Sequence, residues 1–172
     1  ATGGVISDYT SGPAVYRAHI FTSSGTFDVS ALGVYGDTVD YLVVAGGGGG
    51  GVDSFSIDRG AGGAGAGGFR TGTGIPVSTS PGSYTVTIGA GGAGGQNLDS
   101  AAVTGVNGSQ SIFNPAGVEN TTKITSAGGG GGGGHSASSI PNHFAGNPGG
   151  SGGGGANGMD FGTGNTPPTS PA

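Results

Sequence analysis

Apolar and polar residues alternate along short stretches of the chain, and this period of two predicts β-strands. In YRAHIFTSSGTFDVS (Tyr16–Ser30) the alternation lies on both sides of Ser23-Ser24-Gly25, which predicts a hairpin with glycine at its turn. SPGSYTVTIG (Ser80–Gly89) opens with a Pro-Gly turn and alternates in the same way. Each of these stretches is long enough for a short strand.

One stretch is apolar without alternation. TVDYLVVA (Thr38–Ala45) has the pattern of a strand buried on both faces, so we expect it at the centre of a sheet. FRTGTGIPVS (Phe69–Ser78) is a weaker extended segment, and Pro76 places it at an edge or at a strand end. SQSIFN and TTKITSA are two further short strands, and no segment has the pattern of an amphipathic helix. The sequence therefore predicts an all-β fold, a small β-sandwich of about seven short strands.

Glycine blocks follow three of these strands, in YLVVAGGGGGG, YTVTIGAGGAGG and KITSAGGGGGGG, and a fourth block precedes a strand in GAGGAGAGGFR. Flexible linkers usually mix glycine with serine and separate domains, whereas these blocks interrupt one set of strands. Glycine chains also form polyglycine II, an extended threefold helix whose N–H and C=O groups point outward to neighbouring chains. We expect the blocks to form a layer of packed polyglycine II helices attached to the sandwich. Mobile loops are the alternative.

Composition favours this ordered state. Glycine accounts for 46 of 172 residues and charged residues for only 8%, whereas disordered chains normally carry high net charge and few aromatics. Collagen is excluded because glycine does not recur at every third position. We expect three units: residues 1–15 as an extended N-terminal arm, 16–165 as the glycine-rich β/polyglycine domain, and 166–172 as a Pro/Thr/Ser tail.

Charge and residue inventory exclude several classes of function. The net charge is −5 with four basic residues, so nucleic acid is not an expected partner. No apolar run approaches the length of a membrane span, so no membrane insertion is expected. With no cysteine and a single glutamate, the chain offers little catalytic machinery. We expect a protein that is not an enzyme and that has no cofactor and no metal site.

The remaining polar residues leave small alternatives open. His135 and His143 are eight residues apart in one loop. One hypothesis is that the loop brings them together as metal ligands. The simpler hypothesis is that both lie at an exposed loop tip. His19 is expected on the solvent side of its strand. Asp53 and Asp58 are compatible with calcium, but their spacing fits no EF-hand loop and favours a polar loop. Two N-glycosylation sequons, beginning at Asn107 and Asn120, matter only in a eukaryotic secretory context.

Three irregular loops with varied side chains follow the glycine blocks, at 52–61, 96–108 and 135–144. If the glycine helices run together, these loops emerge at one end, and loops on a rigid scaffold are a common recognition arrangement. Aromatic and Asn/Ser-rich loops suit protein or carbohydrate surfaces. The alternative is that they cap the ends of the glycine layer. The candidate receptor-binding residues are Phe55, Asp58, Arg59, Asn97, Leu98, Ile140, Asn142, His143 and Phe144.

The order of these pieces resembles a known family. GTFDVSALGVYGDTVDYLVVAGGGGGG, GAGGFRTGTGIPVSTSPGSYTVTIGAGGAGG, GSQSIFN and KITSAGGGGGGG are together similar to glycine-rich domains of tailed-phage tail and fibre proteins, over about Phe21 to Gly134. More loosely, the chain resembles the glycine-rich adhesins at tail-fibre tips, in which packed polyglycine helices carry loops that bind host receptors. The resemblance implies a non-enzymatic protein of a virion.

We therefore expect a virion or extracellular fibre protein that binds a host cell-surface receptor, protein or glycan, through its loops. Its other partners would be further copies of itself or other fibre subunits. A second hypothesis is a self-assembling structural subunit of a filament, in which Ala1–Tyr16 pairs with a neighbour's sheet edge. A third is ice binding by flat faces of the glycine helices, which the lack of regularly spaced Thr or Ala disfavours.

Overall fold

A computed structural model describes residues 1–53, 60–98, 101–102, 104–114, 123–135 and 145–166. Within these ranges every regular element is a β-strand, as the sequence predicts, and no helix long and apolar enough to cross a membrane occurs there. The strands are β1 (Val5–Ser11), β2 (Ala14–Ile20), β3 (Gly25–Asp28), β4 (Thr38–Val44), β5 (Phe69–Pro76), β6 (Ser83–Thr87), β7 (Asn97–Leu98), β8 (Ala101–Ala102), β9 (Ser111–Asn114) and β10 (Ile124–Ser126).

The hydrophobic core lies between two sheets. A four-stranded antiparallel sheet, in the order β10-β9-β6-β3, packs against the antiparallel pair β4-β5. The buried side chains between them are Phe27, Val29, Val77, Tyr84, Phe113 and Ile124, and half-buried residues of β4 and β5 complete the packing. This two-layer arrangement is the predicted small sandwich.

Tyr84 is the largest fully buried side chain of this core. Its hydroxyl accepts a hydrogen bond from the Ser78 N–H at 2.6 Å and donates one to the Ser78 carbonyl at 3.0 Å. The phenol is therefore buried with its polar group satisfied, which avoids the cost of an unpaired buried hydroxyl. The same bonds tie the segment after β5 to β6.

The predicted hairpin around Ser23-Ser24-Gly25 is wrong. β2 pairs antiparallel with β1 instead, in a register that joins Ser11 to Ala14 across Gly12-Pro13. Gly12 has φ of 60°, a left-handed conformation that glycine adopts without strain, and so the tight turn forms there. β3 pairs with β6. Residues 1–15, the predicted arm, thus supply β1, and Thr2 pairs with Asp28.

The expectation that Thr38–Ala45 is central and buried on both faces is also wrong. Within the described residues β4 pairs only with β5, and its side chains are alternately half-buried and exposed. Val39, Tyr41 and Val43 pack on the core. Leu42 and Val44 on the opposite face are 59% and 51% exposed.

Between the strands the chain runs through extended glycine segments that belong to no sheet. We number them segment 1 (45–52), segment 2 (60–68), segment 3 (89–96), segment 4 (104–110), segment 5 (127–135), segment 6 (145–150) and segment 7 (151–156). They lie side by side and bond to one another through the backbone. The glycine blocks therefore form a hydrogen-bonded layer in the structure.

Hydrogen bonds in this layer recur every third residue. Segment 1 donates to segment 2 at 2.9–3.0 Å through the pairs Ala45–Gly68, Gly48–Gly65 and Gly51–Gly62. It donates to segment 4 through Gly46–Ser109 and Gly49–Val106. A repeat of three residues is the period of polyglycine II. The helix type itself stays a prediction.

Segment 5 is the centre of the layer, and Gly128–Gly134 are all buried. A Cβ added at successive positions would meet different neighbours, well inside 3.0 Å of a backbone atom each time. At Gly129 it meets segment 2, at Gly130 segment 6 and at Gly131 segment 4. Backbone atoms block the Cβ direction at each glycine from Gly128 to Gly132, so none of these five positions has room for a side chain. This explains the longest glycine run of the sequence.

Outer segments have sides that face away from the layer, and alanine occurs on such sides. Ala61 and Ala64 in segment 2, and Ala90 and Ala93 in segment 3, are three residues apart and exposed. Between them, a Cβ on Gly62 or Gly92 would overlap a backbone carbonyl of a neighbouring segment. Alanine in these segments therefore marks a side that does not face the layer.

Replacing a central glycine should unfold the layer, whereas an outer one should tolerate the change. We expect Gly131→Ala to lower the free energy of unfolding by about 3 kcal/mol, since its methyl group overlaps the Gly105 carbonyl. Gly63→Ala is the matched control because nothing lies within 4 Å of its Cβ; its stability should change by less than about 1 kcal/mol. Urea denaturation followed by tyrosine fluorescence measures both. Equal stabilities would contradict the packing of segment 5.

Candidate functional site

Segments 1, 3 and 5 run in the same direction, away from the sandwich. Segment 3 bonds to segment 1 through Gly92–Gly47 and Gly95–Gly50, and residue numbers rise together in both. Segment 5 bonds to segment 1 in the same sense, through Gly129–Gly46 and Gly132–Gly49. Segments 1, 3 and 5, each of which follows a strand, therefore end on the same side of the layer.

Segments 2, 4 and 6 return antiparallel to their neighbours from that same side. The loops that begin after residues 53, 95 and 135 thus all start at the end of the layer remote from the sandwich, which we call the loop end. This is the geometry that the sequence predicts for loops carried by glycine helices running together. The sandwich lies at one end of the segments, and the three loops start at the other.

A polar pair lies at the base of two of these loops. Asp53 and His135 form a parallel bridge, and the His135 N–H donates to the Val52 carbonyl at 2.9 Å. The His135 Nδ1 lies 3.2 Å from the Asp53 Oδ1. The His135 residue is 4% exposed, so its imidazole is held inside the layer. The pair fixes where the loops after residues 53 and 135 leave the layer.

The predicted binding residues fall into two groups. Asn97 and Leu98 form β7, and their backbones pair with Ala102 and Ala101 of β8 at the loop end. The other candidates lie outside the described residues; these are Phe55, Asp58, Arg59, Ile140, Asn142, His143 and Phe144. The structure brings the starts of the three loops together, and the role of each side chain stays a prediction.

Two expectations about histidines are wrong. His135 does not lie at an exposed tip, because it is buried and contacts Asp53. His19 is not a solvent-side residue but half-buried: its Nδ1 lies 2.8 Å from the Gly3 carbonyl, and its ring packs edge-on against Phe27. Among the described residues no three His, Cys, Asp or Glu side chains form a group that suits a metal ion.

Sequence reasoning missed the part that Asn107 plays in the layer. Its carboxamide accepts a hydrogen bond from the buried Gly131 N–H and donates one to the Pro148 carbonyl, both at 2.9 Å. Asn147 donates in turn to the Gly105 carbonyl at 3.2 Å. These side chains join segments 4 and 6 where no glycine segment lies between them. The available signal was an asparagine in each of two glycine-rich segments.

Together these features define an all-β, glycine-rich protein in which a sandwich anchors a backbone-bonded layer that carries loops at its far end. The sequence model of the Glycine-rich domain family matches residues 22–171, and the chain belongs to this family. Comparisons with curated proteins and with solved structures gave no match.

Loss of the Asn107 carboxamide should destabilise the layer. We expect Asn107→Ala to lower the free energy of unfolding by about 1–3 kcal/mol, because the buried Gly131 N–H loses its acceptor. Faster hydrogen exchange at Gly131 should accompany the loss. Val106→Ala is the neighbouring control, since Val106 is exposed and its backbone bonds remain. Wild-type exchange at Gly131 in Asn107→Ala would refute the assignment.

Proposed function

We propose that this chain is a non-enzymatic component of a virion or extracellular fibre, in the manner of a phage tail-fibre or tip protein. It would bind a host cell-surface receptor through the loops at the loop end. The observation that supports this most is the parallel course of segments 1, 3 and 5, since three loops of varied sequence then start at the same end of the layer. Loops on a rigid scaffold are a frequent arrangement for recognition.

Rigidity of the carrier supports the same proposal. The backbone bonds of segment 5 reach segments on several sides, and its glycines are buried throughout. We propose that the segments are polyglycine II helices, which would account for the repeat of three residues in bonds and in Cβ directions. A loop whose two ends are fixed in such a layer loses less conformational entropy on binding than one on a flexible carrier.

The composition of the loops agrees with a receptor-binding surface. His143 and Phe144 in the third loop, and Phe55 in the first, are aromatic residues in segments otherwise rich in serine and asparagine. Aromatic rings supply contact area at low entropic cost, and hydroxyl and amide groups supply adaptable hydrogen bonds. A protein or a glycan on a cell surface would both suit this chemistry.

Substitution of loop residues tests the proposal directly. We expect the purified, fluorescently labelled chain to bind intact cells of its host, and the double variant His143→Ala, Phe144→Ala to bind at least about tenfold more weakly. Thermal unfolding is measured alongside, and an unchanged midpoint shows that weaker binding does not come from a destabilised fold. Binding would be measured by cell pull-down over a panel of bacterial strains and by glycan array.

A control comes from the opposite end of the molecule. Val34 is 94% exposed in the connection that leads into β4, and β4 runs from there toward segment 1. Val34→Ser should therefore leave binding unchanged. If it weakens binding as much as the loop variant does, or if the loop variant binds normally, the loop end is not the receptor site.

One observation favours the second function, a self-assembling structural subunit. β1 and β2 form a hairpin whose one face carries Val5, Ile20, Tyr9 and Tyr16, all exposed, with the tyrosine rings stacked at 5.4 Å. Asp8 and Arg17 on the other face form a bidentate pair, and hydrogen bonds from Arg17 lower the pKa of the Asp8 carboxyl. A two-stranded hairpin with a bare apolar face is typical of an interaction surface.

If this hairpin mediates assembly, polar substitution on its apolar face should abolish it. The double variant Tyr9→Ser, Tyr16→Ser should remain monomeric at concentrations where the wild type forms filaments visible by electron microscopy. Val15→Ser is the matched control, because Val15 is even more exposed than the two tyrosines but pairs with Thr10 on the opposite face. Filaments of normal length from the double variant would exclude the apolar face as the interface.

A further inference from the structure

The glycine segments that surround segment 5 are hydrogen-bonded to one another in a closed ring, whereas those that surround segment 1 form an open ring. The neighbours of segment 5 are segments 1, 2, 7, 6 and 4, and each is hydrogen-bonded to the next in that order. Segments 6 and 4 are joined through the Asn107 and Asn147 side chains, and segment 4 bonds back to segment 1. Around segment 1 the order is 3, 4, 5 and 2, and within the described residues no bond joins segment 2 to segment 3. The ring of segment 1 is therefore open on one side.

Backbone groups at this opening have no partner. Within the part of the chain that the structure describes, the Gly47 and Gly50 N–H groups have no acceptor, and the Gly91 and Gly94 carbonyls have no donor. Gly50, Gly91 and Gly94 are exposed, and Gly47 is half-buried. The opening thus offers donors and acceptors, spaced three residues apart along segments 1 and 3.

Glycine at these positions is not required by the chain's own packing. A Cβ at Gly47 or Gly50 would lie 3.8 or 4.0 Å from carbonyls of segment 2, and one at Gly91 or Gly94 would lie 3.7 or 3.9 Å from carbonyls of segment 1. These are ordinary van der Waals distances. Other exposed positions of segments 2 and 3 hold alanine, as at Ala64 and Ala93, or glycine, as at Gly63. Glycine destabilises the fold relative to alanine wherever alanine fits.

We propose that the open side of segment 1, lined by Gly47, Gly50, Gly91 and Gly94, binds the equivalent face of a second copy of this chain. Only an extended backbone without side chains can come close enough to reach the free N–H groups, as chains do in polyglycine II. A second copy supplies such a backbone, together with carbonyls that match the donors. The face is therefore complementary to itself.

Sedimentation velocity over about 1 μM to 1 mM tests this in the full chain, in the Tyr9→Ser, Tyr16→Ser background that removes the hairpin face. We expect a concentration-dependent dimer, and slower hydrogen exchange at the Gly47 and Gly50 amides as the dimer forms. Gly50→Val and Gly94→Val should each raise the dissociation constant at least about tenfold, because a branched side chain holds the two backbones apart.

The matched control is Gly164→Val on the far side of the layer. Gly164 is exposed, and its Cβ has contacts of 3.6 and 3.9 Å, close to those at the opening. It should dimerise as the parent does, and thermal unfolding of all three valine variants should stay close to that of the parent. A monomer at every concentration, or a dimer that Gly50→Val and Gly94→Val leave intact, would overturn the proposal. Receptor binding at the loop end is measured independently, so either proposal can fail alone.

Discussion

Hydrogen bonding of bare backbone to bare backbone is the constraint on which the rest of the structure depends. Segment 5 lies inside a ring of neighbours, and a Cβ at any glycine from Gly128 to Gly132 would overlap their carbonyls or amides. Glycine has the largest entropy cost on folding, so such a segment is ordered only when bonds on several sides act together. The layer is therefore cooperative: a side chain at one central position would separate several segments at once.

The β-strands supply the register that this cooperation needs. The pairing of Val44 with Phe69 in β4 and β5 continues directly into the Ala45–Gly68 bond between segments 1 and 2. The strands β6, β9 and β10 continue in the same way into segments 3, 4 and 5. Segments 1 and 2 thus come from one sheet of the sandwich and 3, 4 and 5 from the other. The layer joins the two sheets, which explains how a core with so few large side chains holds a chain of 172 residues.

Local pattern in the sequence was enough to predict the fold class, most strands and an ordered glycine layer. It failed where pairing is non-local. The alternation near Ser23 fits any partner strand. The tight turn at Gly12 selects β1 as the partner of β2, and the core position of Phe27 selects β6 as the partner of β3. The largely apolar strand β4 is not central: within the described residues it pairs only with β5, and Leu42 and Val44 face outward. For the site, the blocks after three strands indicated that the loops share one end. The buried Asp53–His135 pair and the Asn107 bridge depend on contacts between distant segments, which no spacing in the sequence displays.

The distribution of alanine adds a criterion that a count of glycines does not. In a layer with a repeat of three residues, every third residue of a segment faces the same neighbour. A side chain therefore fits only on a side of the segment where no neighbour lies. Ala61 with Ala64, and Ala90 with Ala93, mark such sides. Gly128–Gly134 has none, and it is central. Gly47, Gly50, Gly91 and Gly94 have room for a methyl group and remain glycine, as Gly63 does. What sets these four apart is that they line the gap between segments 2 and 3, so the open ring of segment 1, and not residue type alone, identifies the side on which the layer is incomplete.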